Sequence, residues 1–158
     1  MHYMDPLVEK SNMSYTYFMR LTVQTDYALR VLMYLAVNDG QYRIEEIAAH
    51  YDISKNHLMK VAQRLSTEGF IKSTRGRGGG LMLAHPAAAI NLGRVARRLE
   101  GVDQFVECFD PGTNNCRATP SCGLKHALAG GVEAFMKHLD QFTLADLVRK
   151  PTAFLAAA

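Results

Sequence analysis

The chain contains three cysteines, and all of them lie on one short stretch. Cys108, Cys116 and Cys122 are separated by seven and five residues, in a segment rich in Asp, Asn, Gly and Pro. An odd number of cysteines argues against a structural disulfide framework. Three thiolates on one loop instead suit a soft metal ion or an iron-sulfur cluster. The separations are wider than those of most structural zinc sites, but zinc and free redox-active or buried thiols stay open as alternatives.

A cluster with three cysteine ligands has one iron that lacks a cysteine ligand. A fourth ligand must then come from another part of the protein or from solvent. Such an iron is accessible to small diffusible molecules. If the three cysteines bind a cluster, the cluster is therefore expected to be reactive, as a sensor requires.

Upstream of the cysteines, the hydrophobic periodicity predicts three helices over residues 22–37, 43–51 and 55–68. A short helix, a tight turn at Asp52-Ile53 and a third helix are typical of the helix-turn-helix motif. In such motifs the second of the paired helices lies in the major groove of DNA. The outer face of this helix carries the polar residues that we expect to contact DNA, namely Ser54, Lys55, Asn56, His57, Lys60 and Gln63.

A glycine-rich turn follows the third helix. Residues 70–73 and 81–83 are predicted strands, and the turn RGRGGG at residues 75–80 joins them, which is typical of a wing. We expect Arg75 and Arg77 to reach phosphate or the minor groove. A glycine-rich loop can also cradle nucleotide phosphates, but such a loop precedes a helix or contains Gly-Lys-Ser/Thr. A strand follows this loop, and a wing is therefore favoured.

The remaining residues predict an appended dimerisation segment. We expect the winged DNA-binding domain at residues 19–86, a linker helix at 87–101, the cysteine-containing loop at 102–123, a long helix with a C-terminal segment at 124–148 and a tail at 149–158. The long helix, predicted from about Leu124 to Phe142, would extend about 28 Å at 1.5 Å per residue, more than the winged domain can cover. A homodimer is therefore expected, and packing of the helix on its own domain is the alternative. Its apolar stripe comprises Leu124, Leu128, Val132, Phe135, Leu139 and Phe142.

Composition and charge fit this organisation. With 48% hydrophobic and 21% charged residues, the chain of 158 residues has the composition of a folded globular protein. Residues 54–98 contain nine Lys or Arg and one acid, a net charge of +8, whereas the whole chain has +3. This asymmetry favours a polyanionic partner, although a solvated basic face would look the same. The sequence lacks a membrane-length apolar run and a secretory signal, which predicts a cytoplasmic protein with a mobile extension at residues 1–18.

Over residues 19–148 the sequence resembles the iron-sulfur winged-helix repressors. The resemblance is carried by MRLTVQTDYALRVLMYLA, SKNHLMKVAQRLSTEGFI, RGRGGGLML, VECFDPGTNNCRATPSCGLKHAL and FTLADLV. Within this family the NsrR-like, nitric-oxide-sensing branch fits better than the IscR-like branch. IscR-like members have a histidine three residues after the last cysteine, whereas this sequence has Lys125 there and His126 one residue later.

The resemblance implies a function and a fourth ligand. It implies a DNA-binding repressor, not an enzyme. Nitric oxide modifies its cluster, the operator DNA is released, and the genes for nitric oxide detoxification are derepressed. Asp26 matches the family's N-terminal aspartate, which ligates the cluster of the other subunit; its alternative role is to stabilise the start of the first helix. A 4Fe-4S cluster is favoured over a 2Fe-2S cluster. The competing functions are a thiol-based or redox regulator and an electron-transfer protein.

Overall fold

The computed structural model describes residues 21–38, 40–76, 78–101 and 105–149. The extension at residues 1–18 and all but the first residue of the tail lie outside these ranges, as does Arg77. The mobility of the extension therefore stays a prediction.

Six helices and two strands lie within the described ranges. The helices are α1 (Val23–Val37), α2 (Ile44–Tyr51), α3 (Lys55–Thr67), α4 (Leu92–Leu99), α5 (Gly123–Leu139) and α6 (Leu144–Leu147), and the strands are β1 (Ile71–Thr74) and β2 (Gly80–Leu83). Single turns of 3-10 helix cover Ala87–Ala89, Glu107–Phe109 and Thr119–Ser121. The predicted fold, mainly α with a small β wing, is confirmed.

Local chemistry sets the ends of the first three helices. Thr22 precedes α1, and its hydroxyl accepts a hydrogen bond from the backbone N–H of Thr25, as expected of an N-terminal cap. Asp52 ends α2 in the left-handed region at φ 51°, which Asp tolerates better than most residues. The backbone N–H of Ile53 then bonds to the carbonyl of Ala48 at 3.0 Å. This tight turn leads directly into α3.

One hydrophobic core joins the helix-turn-helix, the wing and the C-terminal segment. Its fully buried members come from five elements and include Leu32, Ile47, Leu58, Leu65, Val95 and Leu144. Tyr51 adds a polar link between α2 and α1, because its hydroxyl donates to the carbonyl of Arg30 at 3.0 Å. Burial raises the pKa of Tyr51 to about 12, so the hydroxyl keeps its proton. The rigid core fixes the angle between α2 and α3.

The wing is an antiparallel hairpin that is anchored by an isolated β-bridge to the segment before α2. Ile71 pairs with Leu83 and Thr74 pairs with Gly80, and Tyr42 exchanges two backbone hydrogen bonds with Leu81 at 2.7 and 3.0 Å. A Cβ at Gly80 would approach the carbonyl oxygen of Tyr42 to 2.6 Å. Glycine at this position therefore allows the segment before α2 to pack against the hairpin.

The linker differs from the prediction of one helix over residues 87–101. A 3-10 turn at Ala87–Ala89 comes first, the chain is extended at Ile90 and Asn91, and α4 begins only at Leu92. The break occurs because Asn91 caps α4 through the N–H of Arg94 and also pairs with Thr143. Asparagine favours this capping position over a helix interior.

The last long helix is also shorter than predicted. It ends at Leu139 rather than at Phe142, and the chain turns there into the short helix α6. The amide of Asn91 donates to the carbonyl of Asp140 at 2.7 Å, and the N–H of Leu92 donates to the carbonyl of Phe142 at 3.0 Å. These bonds hold the turn against the start of α4, so that Leu144 enters the core.

Candidate DNA-binding surface and cysteine loop

The third helix presents its predicted DNA-contacting residues to solvent. The inner face of α3 is buried through Leu58, Val61, Ala62 and Leu65. All six residues predicted for this surface are exposed: Ser54, Lys55, Asn56, His57, Lys60 and Gln63. An amphipathic helix supported by a core on one side and bare on the other can enter a major groove. Their contact with DNA itself stays a prediction.

Of the two arginines predicted on the wing, Arg75 lies among the described residues. Arg75 is exposed at the start of the turn between β1 and β2. Gly76 and Gly78 have φ angles of 98° and 84°, which most other residues adopt only with strain. The turn is tied to the start of α2, because the amide of Gln41 donates to the carbonyl of Gly80 at 3.2 Å. The wing is therefore held at a fixed distance from the helix-turn-helix.

The basic stretch at residues 54–98 is partly neutralised within the molecule. Arg64 and Arg98 both pair with Glu68, at 3.0 and 3.8 Å, and Arg97 pairs with Asp140 in a two-bond arrangement at 2.5 and 2.7 Å. These arginines connect helices and are committed to structure. Among the described residues of this stretch, four exposed cations have no acidic partner: Lys60 on α3, Lys72 and Arg75 on the wing, and Arg94 on α4.

Lys55, at the start of α3, has an acidic partner that the sequence did not reveal. Its ammonium lies 2.5 Å from a carboxylate oxygen of Glu45, and both side chains are about half exposed. The hydrogen bond from Lys55 holds the pKa of Glu45 below its ordinary value. Glu45 belongs to α2, ten residues earlier, and only the turn of the helix-turn-helix brings the two together. This pair lies at the predicted DNA-binding surface.

The cysteine loop is organised by its own hydrogen bonds. Asp110 accepts from the N–H of Gly112 at 2.8 Å and from the hydroxyl of Thr113 at 2.9 Å. These bonds lower the pKa of Asp110, and the bond from the N–H of Gly112 has the larger effect. The N–H of Cys116 donates to the side chain of Asn114 at 3.0 Å. The stretch predicted as irregular therefore contains two 3-10 turns and a defined local network.

The three cysteines are free, and their donor chemistry suits an iron-sulfur cluster. Cys108 and Cys122 are half-buried, and Cys116 is exposed. Cys108 lies in the 3-10 turn at Glu107–Phe109, and Cys122 directly precedes α5. Within the described ranges, no group of three or more His, Cys, Asp or Glu side chains is arranged to hold a metal ion. Joint ligation by the three thiolates stays a prediction.

Asp26 lies in the first turn of α1. Its carboxylate pairs with Arg30 at 2.8 Å and its side chain is 46% exposed. The start of α1 is tied to the end of α4, because Glu100 accepts from the N–H and the hydroxyl of Thr22 at 2.7 and 3.1 Å. The structure thus places this aspartate at the surface, in an exposed ion pair with which a metal ion could compete for the carboxylate.

The long helix α5 is covered on only one side. Met136 is its one buried residue, and Val132 and Met136 line a cleft shared with Arg97 and Glu100. Leu124 is 66% exposed, whereas Leu128 and Phe135, which lie within about 40° of it around the helix axis, are half-buried. The apolar stripe is therefore divided between its own domain and an uncovered edge. No helix among the described residues is long and apolar enough to cross a membrane.

Comparison with known proteins gives consistent results. The family model described as Rrf2, iron-dependent transcriptional regulator, matches residues 21–150. The HTH-type transcriptional regulator NsrR of Bacillus subtilis (strain 168) is 48% identical over 133 residues, which is 83% of this chain and 91% of that protein. NsrR of Oceanobacillus iheyensis is 44% identical over 140 residues, 87% of this chain and 95% of that protein.

A solved structure shares the fold. CymR (YrzC), the global cysteine regulator of B. subtilis, matches with a TM-score of 0.62 and 26% identity, over 84% of this chain and 98% of that one. The two NsrR relatives are named as transcriptional regulators, which confirms the prediction of a regulator rather than an enzyme. The predicted resemblance to winged-helix repressors is likewise confirmed. The chain belongs to the Rrf2 family of iron-dependent transcriptional regulators.

Proposed function

We propose that this protein is a homodimeric transcriptional repressor in the cytoplasm that senses nitric oxide through an iron-sulfur cluster. Cys108, Cys116 and Cys122 of one subunit would hold the cluster, with Asp26 of the partner subunit as fourth ligand. The observation that carries the proposal is a loop with three free thiols. This loop connects α4, whose end contacts the end of α3, to α5, whose apolar edge is partly exposed. The identity of 48% to a regulator named NsrR supports it.

The DNA-binding part of the proposal depends on two copies of α3. A two-fold dimer places two recognition helices in successive major grooves, about 34 Å apart. The first residues of α3 would read base edges, while Arg75 and Arg77 of the wing would contact phosphate or the minor groove. The unpaired positive charge on α3 and the wing supports this assignment.

The link between the cysteines and DNA runs through α4. This helix ends directly before the loop, and its last residues contact three other elements: Arg97 pairs with the end of α5, Arg98 with Glu68 after α3, and Glu100 with the start of α1. When bound, the cluster would supply iron that reacts with nitric oxide. Without the cluster, the loop would no longer fix the position of the end of α4. The distance between the two α3 helices of the dimer would then no longer match the operator. Repression of the genes for nitric oxide detoxification would then be relieved.

Protein purified without oxygen tests this function. We expect visible absorbance with matching iron and sulfide contents, and tight binding to an operator that the protein selects from random duplexes. Nitric oxide should change the spectrum and weaken operator binding by at least tenfold. Cys116→Ala should lose iron, sulfide and absorbance, because two thiolates and one weak oxygen ligand would not retain the cluster.

The outcomes separate the competing functions. A colourless wild-type protein whose operator binding responds to thiol oxidation would be a thiol-based regulator. A coloured protein that selects no DNA would be an electron-transfer protein. A Cys116→Ala variant that keeps full iron and sulfide and still releases DNA on nitric oxide exposure would refute the sensing site.

A further inference from the structure

The pair of Glu45 and Lys55 joins the two helices of the helix-turn-helix at the surface that faces DNA. Glu45 is in the first turn of α2 and Lys55 is the first residue of α3. Their charged atoms are 2.5 Å apart, and both side chains are about half exposed. A surface ion pair of this kind adds little to stability. Its position at the start of the recognition helix suggests a role in binding.

Glu45 also borders the space between the helix-turn-helix and the wing. A cleft of about 370 Å³ lies there, lined by Glu45, Arg43, Ser73, Thr74 and Gly76 among others. A carboxylate at this position repels a phosphate that enters the cleft. It therefore lowers the electrostatic attraction that supplies most non-specific DNA binding.

Lys55 retains hydrogen-bonding capacity while it is paired. An ammonium has three N–H donors, and one bond to Glu45 leaves two for another acceptor. Lysine reads guanine through the O6 and N7 acceptors in the major groove. A long flexible side chain normally loses rotamer freedom when it binds. Glu45 holds this side chain at the start of α3 before DNA arrives, which reduces that loss.

We infer that Glu45 is a specificity-determining residue, which holds Lys55 in position to read a guanine in each half-site and keeps it from binding phosphate indiscriminately. The inference rests on the proposed operator binding by α3. It predicts that loss of the Glu45 carboxylate increases affinity for DNA of any sequence but reduces discrimination between sequences.

The test compares Glu45→Gln with Glu133→Gln. Glu133 also forms an exposed pair with a lysine, Lys137 at 2.8 Å, but on α5, so the two variants change the net charge equally. Affinity is measured over a salt series for the selected operator, for a scrambled duplex of the same length, and for operators with each guanine replaced by adenine. All proteins are prepared in the same cluster state.

We expect Glu45→Gln to bind the scrambled duplex about fivefold more tightly near 0.15 M salt, with a salt slope steeper by about 0.9 per subunit. Replacement of one guanine per half-site should weaken wild-type binding about tenfold, and Glu45→Gln should lose most of this discrimination. In a Lys55→Gln background, Glu45→Gln should no longer affect discrimination at that guanine, because the carboxylate acts through the lysine.

Other results would overturn the inference. If Glu45→Gln matches Glu133→Gln in every measurement, the pair has no role in recognition. A variant that loses operator affinity, with unchanged binding to the scrambled duplex and a persisting effect in the Lys55→Gln background, would show that Glu45 contacts a base itself. A wild-type protein that selects no operator would instead refute the proposed function, and this inference with it.

Discussion

At the scale of single residues, Asp26 has one observed contact and one proposed role, and mutations can separate them. Its carboxylate pairs with Arg30 one turn later on α1, and the proposed function makes it a ligand of the partner subunit's cluster. An exposed pair at this spacing contributes only a few tenths of a kcal/mol to a helix. The ion pair is therefore a weak competitor for the carboxylate, which leaves it available for metal binding.

Asp26→Asn should leave a cluster with a shifted visible spectrum and a changed rate of loss in oxygen, because the neutral amide is a poorer ligand than the carboxylate. Arg30→Gln, which removes only the ion pair, should retain the wild-type spectrum. Absorbance and iron content over time in air measure both. Equal behaviour of the two variants would assign Asp26 to helix stability alone.

At the scale of elements, Glu68 connects the end of α3 to the end of α4. Its side chain is only 15% exposed, and it lies between Arg64 and Arg98. The guanidinium of Arg64 also donates to the backbone carbonyl of Arg98 at 2.8 Å. Two arginines thus share one partly buried carboxylate, at the contact that we propose couples the loop to the recognition helix.

Glu68→Gln should lower the free energy of unfolding by about 1 kcal/mol, since it leaves two neighbouring guanidinium groups without their anion. It should also weaken the response of operator binding to nitric oxide, because α3 is less firmly joined to α4. Urea unfolding measures the first effect and DNA titrations measure the second. Glu133→Gln, which breaks an exposed ion pair on α5, provides the control. Unchanged stability together with an unchanged response would exclude this contact as the link.

The elements also show how far the sequence predicts the structure. Helical periodicity and glycine punctuation predicted α1 to α3 and the hairpin closely, because local propensity and core packing agree there. The break at Asn91 was missed because its cause is a pairing with Thr143, fifty-two residues later. The Glu45–Lys55 pair was missed for a similar reason: no local spacing links the two residues before the turn is built. Residue type led to the prediction that the three cysteines are ligands, which stays a prediction, because type does not fix how a loop brings thiols together.

At the scale of the whole molecule, the charge pattern divides into a structural and a binding part. Arginines near the interhelical contacts are paired with acids, whereas the cations on α3 and the wing without a partner among the described residues face outward. The excess of +8 in residues 54–98 therefore overstates the field that DNA would experience. The unpaired charge on α3 and the wing lies at the predicted DNA-binding surface, where it favours an oriented approach to a polyanion.

The proposed dimer would bring two such surfaces together through α5. Leu124, Leu128 and Phe135 form an apolar edge, exposed at Leu124 and half-buried at the other two, that a second copy of the helix would cover across a two-fold axis. Phe135→Glu should then give monomers in sedimentation velocity, because a charge buried at the interface costs several kcal/mol. His126→Glu introduces the same charge on the opposite side of the helix and should leave the dimer intact.

Loss of the dimer should reduce operator binding far more than binding to a scrambled duplex. A dimer binds its second half-site at a high effective concentration, whereas a monomer binds each half-site independently. The monomeric Phe135→Glu variant should therefore lose at least a hundredfold in operator affinity, with a shallower salt slope because only one subunit contacts phosphate. A variant that sediments as a dimer with wild-type operator affinity would place the interface elsewhere and leave this edge of α5 to another partner.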